Sequence, residues 1–255
     1  MTEPSSLSPD TTAARATRVL TDIVSDSRPR VADDATDPAI PVAATLVLLR
    51  DTGAGIEVLM IERPDRGSFA GAWVFPGGKL EDTDRHEVEA EEDAARRGAV
   101  RETLEETGLV VDTDTLVTVS VWDPPPGIAV RIRTWFFVAA APTEGSIRLQ
   151  AEEAVRAEWI DPAEAIARHS RGDLMLYPPT WVTLHELADA ASVSSLVDAT
   201  RLSGVRRFDS IARRAESGPM LLWSEDAEYE APGADGASRH RLEIGALPWI
   251  YTRSD

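Results

Sequence analysis

One short segment limits what this chain can form more than any other. Read as a helix, residues 101–109 place Glu102, Glu105 and Glu106 on one face, because residues three and four positions apart are neighbours on a helix. Like charges at this spacing repel each other by roughly 0.2–0.5 kcal/mol per pair on an exposed helix. A divalent cation would remove that repulsion, and carboxylate ligands suit Mg²⁺ or Mn²⁺. The segment therefore predicts a metal-binding helix, with a solvent-exposed acidic face as the alternative.

The residues around this face support the metal-binding interpretation. Arg101 lies four residues before Glu105 and can tether its carboxylate, and Gly108 is placed to end the helix in a left-handed conformation. Upstream, Gly77 and Gly78 form a double glycine that allows the backbone to approach a ligand closely. Without the helix that follows, the two glycines would indicate only an ordinary turn.

The whole arrangement resembles the Nudix box, G-x5-E-x7-R-E-U-x-E-E-x-G-U, in which U is a bulky apolar residue. The residues that match in register are Arg101, Glu102, Glu105, Glu106, Gly108 and Leu109. Two positions depart from the pattern, since Thr103 replaces an apolar residue and Asp93 stands where the box has its first glutamate. Because 14 residues rather than five separate Gly78 from Asp93, we expect a nine-residue insertion in the loop before the helix.

The resemblance implies a fold and a set of roles. The fold is α/β, a Nudix α/β/α sandwich with a mixed central sheet, extended here by a C-terminal helical and strand segment. The implied metal ligands are Glu102, Glu105, Glu106 and the carbonyl of Gly77. Arg101 would orient the carboxylates, and Glu153, before a predicted strand, would be a further ligand or the general base. Which glutamate takes the proton is left open.

Four arginines are candidate contacts for substrate phosphates. Arg63 and Arg66 lie in the loop before the double glycine, and Arg131 and Arg133 share one side of a predicted strand. For the strand pair, an exposed face with solvated arginines is the alternative.

The expected activity is Mg²⁺-dependent hydrolysis, with Mn²⁺ also suitable, of the diphosphate in a nucleoside diphosphate linked to another group. The sequence is similar to the peroxisomal-type coenzyme A diphosphatase branch, which has an enlarged box, over roughly residues 41–190. This similarity indicates coenzyme A or its acyl derivatives as substrate. The alternatives are an ADP-ribose or dinucleotide pyrophosphatase, a non-catalytic ligand-binding Nudix module, and an acidic Ca²⁺-binding or scaffolding protein. The last of these lacks a 12-residue EF-hand loop.

The composition of the chain limits which kinds of partner it can bind. The net charge of −18 argues against a nucleic-acid surface, which needs a basic footprint. Cysteine is absent, so no disulfide or thiolate site can form, and there is no 18-residue apolar run or signal-peptide pattern. We therefore expect a cytoplasmic protein with a small-molecule diphosphate partner, no membrane or nucleic-acid partner, and a possible homodimer.

The chain divides into an N-terminal arm over residues 1–40, expected to be mobile, a Nudix domain over 41–190 and a C-terminal extension over 191–255. The extension is expected to pack on the core or on a second subunit, which would cover Trp223, Trp249 and Tyr251. Predicted helices cover 12–24, 93–107, 161–169, 178–190, 192–202 and 206–215. Predicted strands cover 41–49, 56–61, 72–75, 109–111, 116–122, 128–140, 155–160, 220–223 and, split by Pro248, 242–251.

Overall fold

The computed structural model describes residues 26–254 except residues 68, 151 and 217. The helix predicted over 12–24 lies outside the described residues. Within them, the strands of the first sheet are β1 (Val42–Asp51), β2 (Ile56–Glu62), β3 (Trp73–Val74), β4 (Gly77–Lys79), β5 (Val117–Asp123), β6 (Arg133–Ala140), β7 (Arg156–Ile160) and β8 (Arg206–Asp209). A second sheet contains β9 (Ile211–Ala215), β10 (Gly218–Leu222), β11 (His240–Glu243) and β12 (Ile250–Arg253).

Four α-helices occur in the described chain: α1 (Glu91–Thr107), α2 (Pro162–Ser170), α3 (Pro178–Leu187) and α4 (Val193–Ser203). Local sequence explains where they begin. Proline occupies the first turn of α2 and of α3, and the side chains of Asp161 and Ser192 cap α2 and α4 by accepting backbone hydrogen bonds. No helix among the described residues is long and apolar enough to cross a membrane.

The central sheet is mixed. Its main path runs β3-β2-β1-β6-β5-β8, with β4 also paired to β1 and β7 to β2. The β1–β6 and β5–β8 pairs are parallel, and the remaining pairs are antiparallel. Because β4 pairs with the first half of β1, the double glycine lies beside the middle of the sheet.

Apolar layers cover both faces of this sheet. Successive residues of a strand point to opposite faces, so Leu46 packs in one cluster with Ala95 of α1, whereas Val47 packs in another with Trp181 of α3. Helices therefore lie on both sides of a mixed sheet. The predicted α/β/α sandwich is confirmed, as are the additional helix and strands at the C-terminus.

The C-terminal segment is joined to the rest of the chain in two ways. Strand β8 extends the central sheet by pairing with β5, and the second sheet packs against the core. Trp223 is completely buried and Trp249 nearly so, with ring centroids 5.6 Å from Trp122 and 6.1 Å from Trp181 respectively. The same chain therefore covers these large aromatic rings.

The described part of the predicted N-terminal arm, residues 26–40, is docked on the domain. Arg30 Nη2 donates to the carbonyl of Asp123 at 2.9 Å, and Arg131 Nη1 lies 3.4 Å from Asp34 Oδ1. Asp34 is almost completely buried. The division of the chain at residues 40 and 190 stays a prediction.

Three local predictions were wrong. Residues 206–215, predicted as a helix, form β8 and β9, because β8 pairs with the distant strand β5 and β9 forms a hairpin with β10. Residues 109–111 are not a strand, although Leu109 and Val111 are buried. The strand predicted over 128–140 begins only at Arg133, since residues 128–132 form bends and irregular backbone.

Candidate active site

Helix α1 supplies most of the candidate site. Its first turn carries Glu91, Glu92 and Asp93, which complement the positive end of the helix dipole, and Gly108 ends it at φ 73°. Small residues face the sheet, so the helix packs closely on β1. Its acidic face is thereby held in a fixed position beside β4.

Two residues on α1, Thr103 and Leu104, differ in how far they are buried. Thr103, which replaces an apolar residue of the box, is completely buried, and its hydroxyl donates to the Ala99 carbonyl at 2.7 Å. This bond satisfies the buried hydroxyl, so the position tolerates threonine. Leu104, on the same helix, is 46% exposed and does not pack on the sheet.

The double glycine brings the backbone of β4 against the acidic face. The amide of Gly77 donates to Glu106 Oε2 at 2.8 Å. A Cβ atom on Gly77 would lie 2.4 Å from the Ala44 carbonyl oxygen, and one on Gly78 would lie 2.4 Å from Glu102 Oε1. No side chain larger than hydrogen fits at either position without a shift, which explains why both residues are glycine.

Arg101 connects the carboxylates of the site. Its Nη1 donates to Glu102 Oε1 at 3.0 Å and to Glu105 Oε2 at 2.8 Å, while Nη2 donates to Asp84 Oδ2 at 2.9 Å and to the Lys79 carbonyl at 3.1 Å. The guanidinium therefore fixes two of the predicted metal ligands relative to the backbone that follows the double glycine.

Another partner of Arg101 is Asp84, a residue that the sequence analysis did not single out. Asp84 is 3% exposed, and its burial favours the neutral form, but hydrogen bonds from Arg101 and the Glu81 amide outweigh that effect and lower its pKa. Five residues separate Gly78 from Asp84, which is the spacing of the box, with aspartate in place of glutamate.

The placement of the insertion is corrected accordingly. The nine additional residues lie between Asp84 and Arg101, not between Gly78 and Asp93. Part of this length extends α1 towards its N-terminus, and the loop before the helix is tied down by Arg97 Nε, which donates to the Asp84 carbonyl at 2.9 Å. The Gly78-to-Asp84 spacing was the signal that could have identified this residue.

Negative charge is only partly compensated at the site. Burial is the main cause that raises the pKa of Glu106 to about 8, and the charges of Glu102 and Glu153 add to it, while the Gly77 amide and Arg63 oppose it. Burial likewise raises the pKa of Glu102, where Arg101 opposes the shift and Glu105 and Glu153 add to it. Several carboxylates thus share a space with little cationic compensation.

Glu153, predicted as a further ligand or base, lies within electrostatic range of Glu102 and Glu106, since its charge adds to the rise in the pKa of both. Its Oε2 is buried and has no hydrogen-bond partner. A buried carboxylate oxygen without a hydrogen-bond partner, within electrostatic range of two other carboxylates, fits the coordination preference of a divalent cation. Within the described part of the chain, no three histidine, aspartate or glutamate side chains are already gathered as a metal cluster.

Two of the four candidate phosphate-binding arginines lie near this site. Arg63 Nη1 is 4.0 Å from Glu106 Oε1, and Arg66 Nη2 donates to the Glu152 carbonyl at 3.1 Å. The loop between β2 and β3 therefore reaches both the acidic face of α1 and the segment that carries Glu153.

Arg131 and Arg133 occupy a different environment. Arg131 Nη2 donates to Asp123 Oδ1 at 2.9 Å, and Arg133 Nη1 lies 3.3 Å from Glu91 Oε2. Both side chains are largely buried, so the alternative of an exposed strand face with solvated arginines is wrong. Their role as substrate contacts stays a prediction.

Comparisons with known proteins agree with this geometry. Residues 39–178 match the NUDIX domain, which is more than half of the chain. A crystal structure of a NUDIX hydrolase from Alicyclobacillus acidocaldarius is similar with a TM-score of 0.57 and 24% identity, covering 62% of this chain and 96% of that one. A MutT NUDIX hydrolase from Burkholderia pseudomallei gives a TM-score of 0.43 and 22% identity over 58% of this chain and 97% of that one. No curated protein matches. The chain belongs to the Nudix family, and it is a pyrophosphohydrolase of that family.

Proposed function

We propose that the chain is a Mg²⁺-dependent hydrolase, with Mn²⁺ as a possible substitute, of the diphosphate in a nucleoside diphosphate linked to another group. Coenzyme A or an acyl derivative is the proposed substrate. The observation that carries the metal assignment is the acidic face of α1, where Glu102 lies against Gly78 and Glu106 accepts from the Gly77 amide, together with the orphaned oxygen of Glu153.

Each residue has a defined part in the proposed reaction. Glu102, Glu105 and Glu106 would hold the cation together with the carbonyl of Gly77. A divalent ion bound there would neutralise phosphate charge and lower the pKa of a bound water molecule. Glu153 or one of the α1 glutamates would accept the proton of the attacking water.

The positive groups would orient the substrate. Arg101 holds Glu102 and Glu105 through hydrogen bonds of 3.0 and 2.8 Å, which limits the movement of these carboxylates during the reaction. Arg63, next to Glu106, is placed to contact a phosphate held at the acidic face. Arg66, Arg131 and Arg133 are proposed as further substrate contacts.

The coenzyme A assignment is supported by the resemblance of the sequence to the enlarged-box diphosphatases. An ADP-ribose or dinucleotide substrate would use the same carboxylates, because the reacting diphosphate is common to these molecules. The net charge of −18 is compatible with such anions only if cations supply local positive charge at the site.

A substrate panel with Mg²⁺ tests the proposal. Coenzyme A, acetyl-coenzyme A, ADP-ribose, NADH and nucleoside triphosphates are incubated with the full chain, and the products are separated by chromatography. We expect coenzyme A to be cleaved at its diphosphate into phosphopantetheine and adenosine 3′,5′-bisphosphate, with loss of activity on chelation and recovery on addition of Mg²⁺. Preferred cleavage of ADP-ribose or NADH would overturn the coenzyme A assignment, and inactivity on the whole panel would overturn the proposed reaction.

A homodimer formed through residues 191–255 also remains a proposal. The chain itself covers Trp223 and Trp249, so these residues do not require a second subunit. Light scattering after size-exclusion chromatography distinguishes a monomer of 27.7 kDa from a dimer.

A further inference from the structure

Thr45 is the one polar residue in an apolar stretch of β1. The other residues of the stretch 42–49 are valine, alanine and leucine, and Thr45 itself is only 8% exposed. Burying a hydroxyl costs free energy unless the group is hydrogen-bonded. Because valine has nearly the same shape and suits a buried strand at least as well, the hydroxyl of Thr45 indicates a specific hydrogen bond.

The hydroxyl of Thr45 holds the turn that precedes the double glycine. Its Oγ1 lies 2.8 Å from the Pro76 carbonyl oxygen and 3.3 Å from the Phe75 carbonyl oxygen. Carbonyl oxygens can only accept, so the hydroxyl is the donor. The Pro76 oxygen also accepts from the Leu46 amide at 2.9 Å. Two neighbouring residues of β1 therefore bind the same carbonyl group.

The peptide group that is bound in this way contacts Glu106 at its other end. The Pro76 carbonyl and the Gly77 amide belong to one planar trans peptide, in which the C=O and N–H bonds point in opposite directions. Holding the oxygen on β1 therefore sets the direction of the Gly77 N–H, which donates to Glu106 Oε2 at 2.8 Å. The hydroxyl of Thr45 is thus linked to the Glu106 carboxylate through a single rigid group.

Glycine makes this peptide group easy to reorient. Rotation of the peptide plane changes φ of Gly77, and glycine accepts most values of φ. In the rotated plane the Pro76 oxygen would face Glu106, and two acceptors would meet without a proton between them. Thr45 is in direct contact with this position, since a Cβ on Gly77 would lie 2.8 Å from its Oγ1. The hydroxyl is therefore placed to oppose the rotation.

We propose that Thr45 is a positioning residue of the active site: its hydroxyl holds the Pro76–Gly77 peptide group so that the Gly77 N–H fixes the Glu106 carboxylate. The inference rests on the proposed function, because Glu106 is a proposed ligand of the catalytic cation. Thr45 acts only through the peptide group and contacts neither the cation nor the substrate. Loss of its hydroxyl should therefore weaken cation binding and lower kcat, whereas KM, which depends on the substrate contacts, should change little.

Binding of Mn²⁺ to the substrate-free chain, followed by electron paramagnetic resonance, tests this role together with steady-state kinetics at saturating Mg²⁺. Thr45→Val removes the hydroxyl and keeps the shape of the side chain. It should weaken Mn²⁺ binding about tenfold and lower kcat about tenfold, the order expected for loss of one buried hydrogen bond, while KM stays within about twofold. Thr45→Ser keeps the hydroxyl and should restore Mn²⁺ affinity and kcat to within about twofold of the wild type.

Thr183→Val is the matched control, because Thr183 is also buried and its hydroxyl donates to the Pro179 carbonyl at 2.8 Å, but within α3. It should bind Mn²⁺ and turn over substrate like the wild type. Wild-type Mn²⁺ affinity or kcat in Thr45→Val, or no recovery in Thr45→Ser, would overturn the inference. A Thr45→Val chain that does not fold would overturn it as well, because the hydroxyl would then be a structural requirement.

Exchange of the Gly77 amide proton, followed by NMR on the metal-free chain, separates this inference from the proposed function. Thr45→Val should exchange this proton at least about fivefold faster than the wild type, because the N–H is no longer held on Glu106. If the wild type binds Mn²⁺ and the exchange rate in Thr45→Val is unchanged, only this inference is overturned. If the wild type neither binds Mn²⁺ nor hydrolyses any substrate of the panel, the proposed function is overturned, whatever the exchange rate.

Discussion

Replacing Gly78 by alanine tests whether the position of the Glu102 carboxylate controls catalysis. The new Cβ would lie 2.4 Å from Glu102 Oε1, 2.5 Å from its Cδ and 2.7 Å from its Oε2. Ordinary contacts begin at 3.4 Å, so the carboxylate must move by about 1 Å. A displacement of this size at a catalytic group costs on the order of 10²-fold in rate.

The fold should survive this change, because the group that clashes is the end of a flexible side chain and not backbone. We therefore expect Gly78→Ala to lower kcat/KM about 100-fold on the best substrate of the panel while the melting temperature shifts by no more than a few degrees. Gly53→Ala is the control, since a Cβ there meets nothing within 4 Å. A wild-type kcat/KM in Gly78→Ala would show that the position of the Glu102 carboxylate does not control catalysis.

Two further predictions concern stability. Asp84→Ala should destabilise the fold by roughly 3 kcal/mol, because it removes the buried partner of Arg101, whereas Asp93→Ala, at an exposed position, should cost less than about 1 kcal/mol. Equal effects in urea titrations would contradict the assignment of Asp84. Burial lowers the pKa of His169 to about 4, so the folded chain keeps a neutral ring while the unfolded chain binds a proton below about pH 6.5. The free energy of unfolding therefore keeps its full value above pH 6.5 and falls by up to about 1.4 kcal/mol per pH unit as the pH drops towards 4. His169→Asn should remove this pH dependence. Equal slopes of unfolding free energy against pH in the variant and the wild type would contradict the prediction.

The parts of the fold that depend on local patterns could be predicted from the sequence. Apolar runs identified β1 and β2, and the spacing of the acidic residues identified α1. The capping residue Asp161 and the proline in the first turn of α2 located its start to within one residue. In each of these elements the local preference of the chain and its tertiary environment agree.

The parts that depend on distant partners could not be predicted. Residues 206–209 form β8 because β5 offers a pairing edge, which no local window contains, and β9 follows as the first strand of a hairpin with β10. The burial of Arg131 and Arg133 depends on Asp123 and on Glu91, which precedes them by about 40 residues in the chain. Ion pairs of this separation are fixed by topology and leave no signal in spacing.

The candidate site falls between these two cases. The acidic face of α1 could be predicted because Glu102, Glu105 and Glu106 lie three and four positions apart in the sequence. The double glycine could be recognised because its two residues are adjacent. Asp84 was not predicted, because the box has its first glutamate eight residues before the arginine, and that spacing points from Arg101 to Asp93.

The kcat of Glu106→Gln, on the best substrate of the panel with saturating Mg²⁺, tests whether the acidic face of α1 is the metal-binding centre. Glutamine keeps the shape of the side chain and can still accept from the Gly77 amide, but it removes the charge that would hold the cation. Glu216→Gln, at an exposed position in the C-terminal segment, is the matched control. We expect kcat to fall at least 10²-fold in Glu106→Gln while its melting temperature stays unchanged, and we expect Glu216→Gln to keep the kcat of the wild type. A wild-type kcat in Glu106→Gln would contradict the claim that the acidic face of α1 is the metal-binding centre of this enzyme.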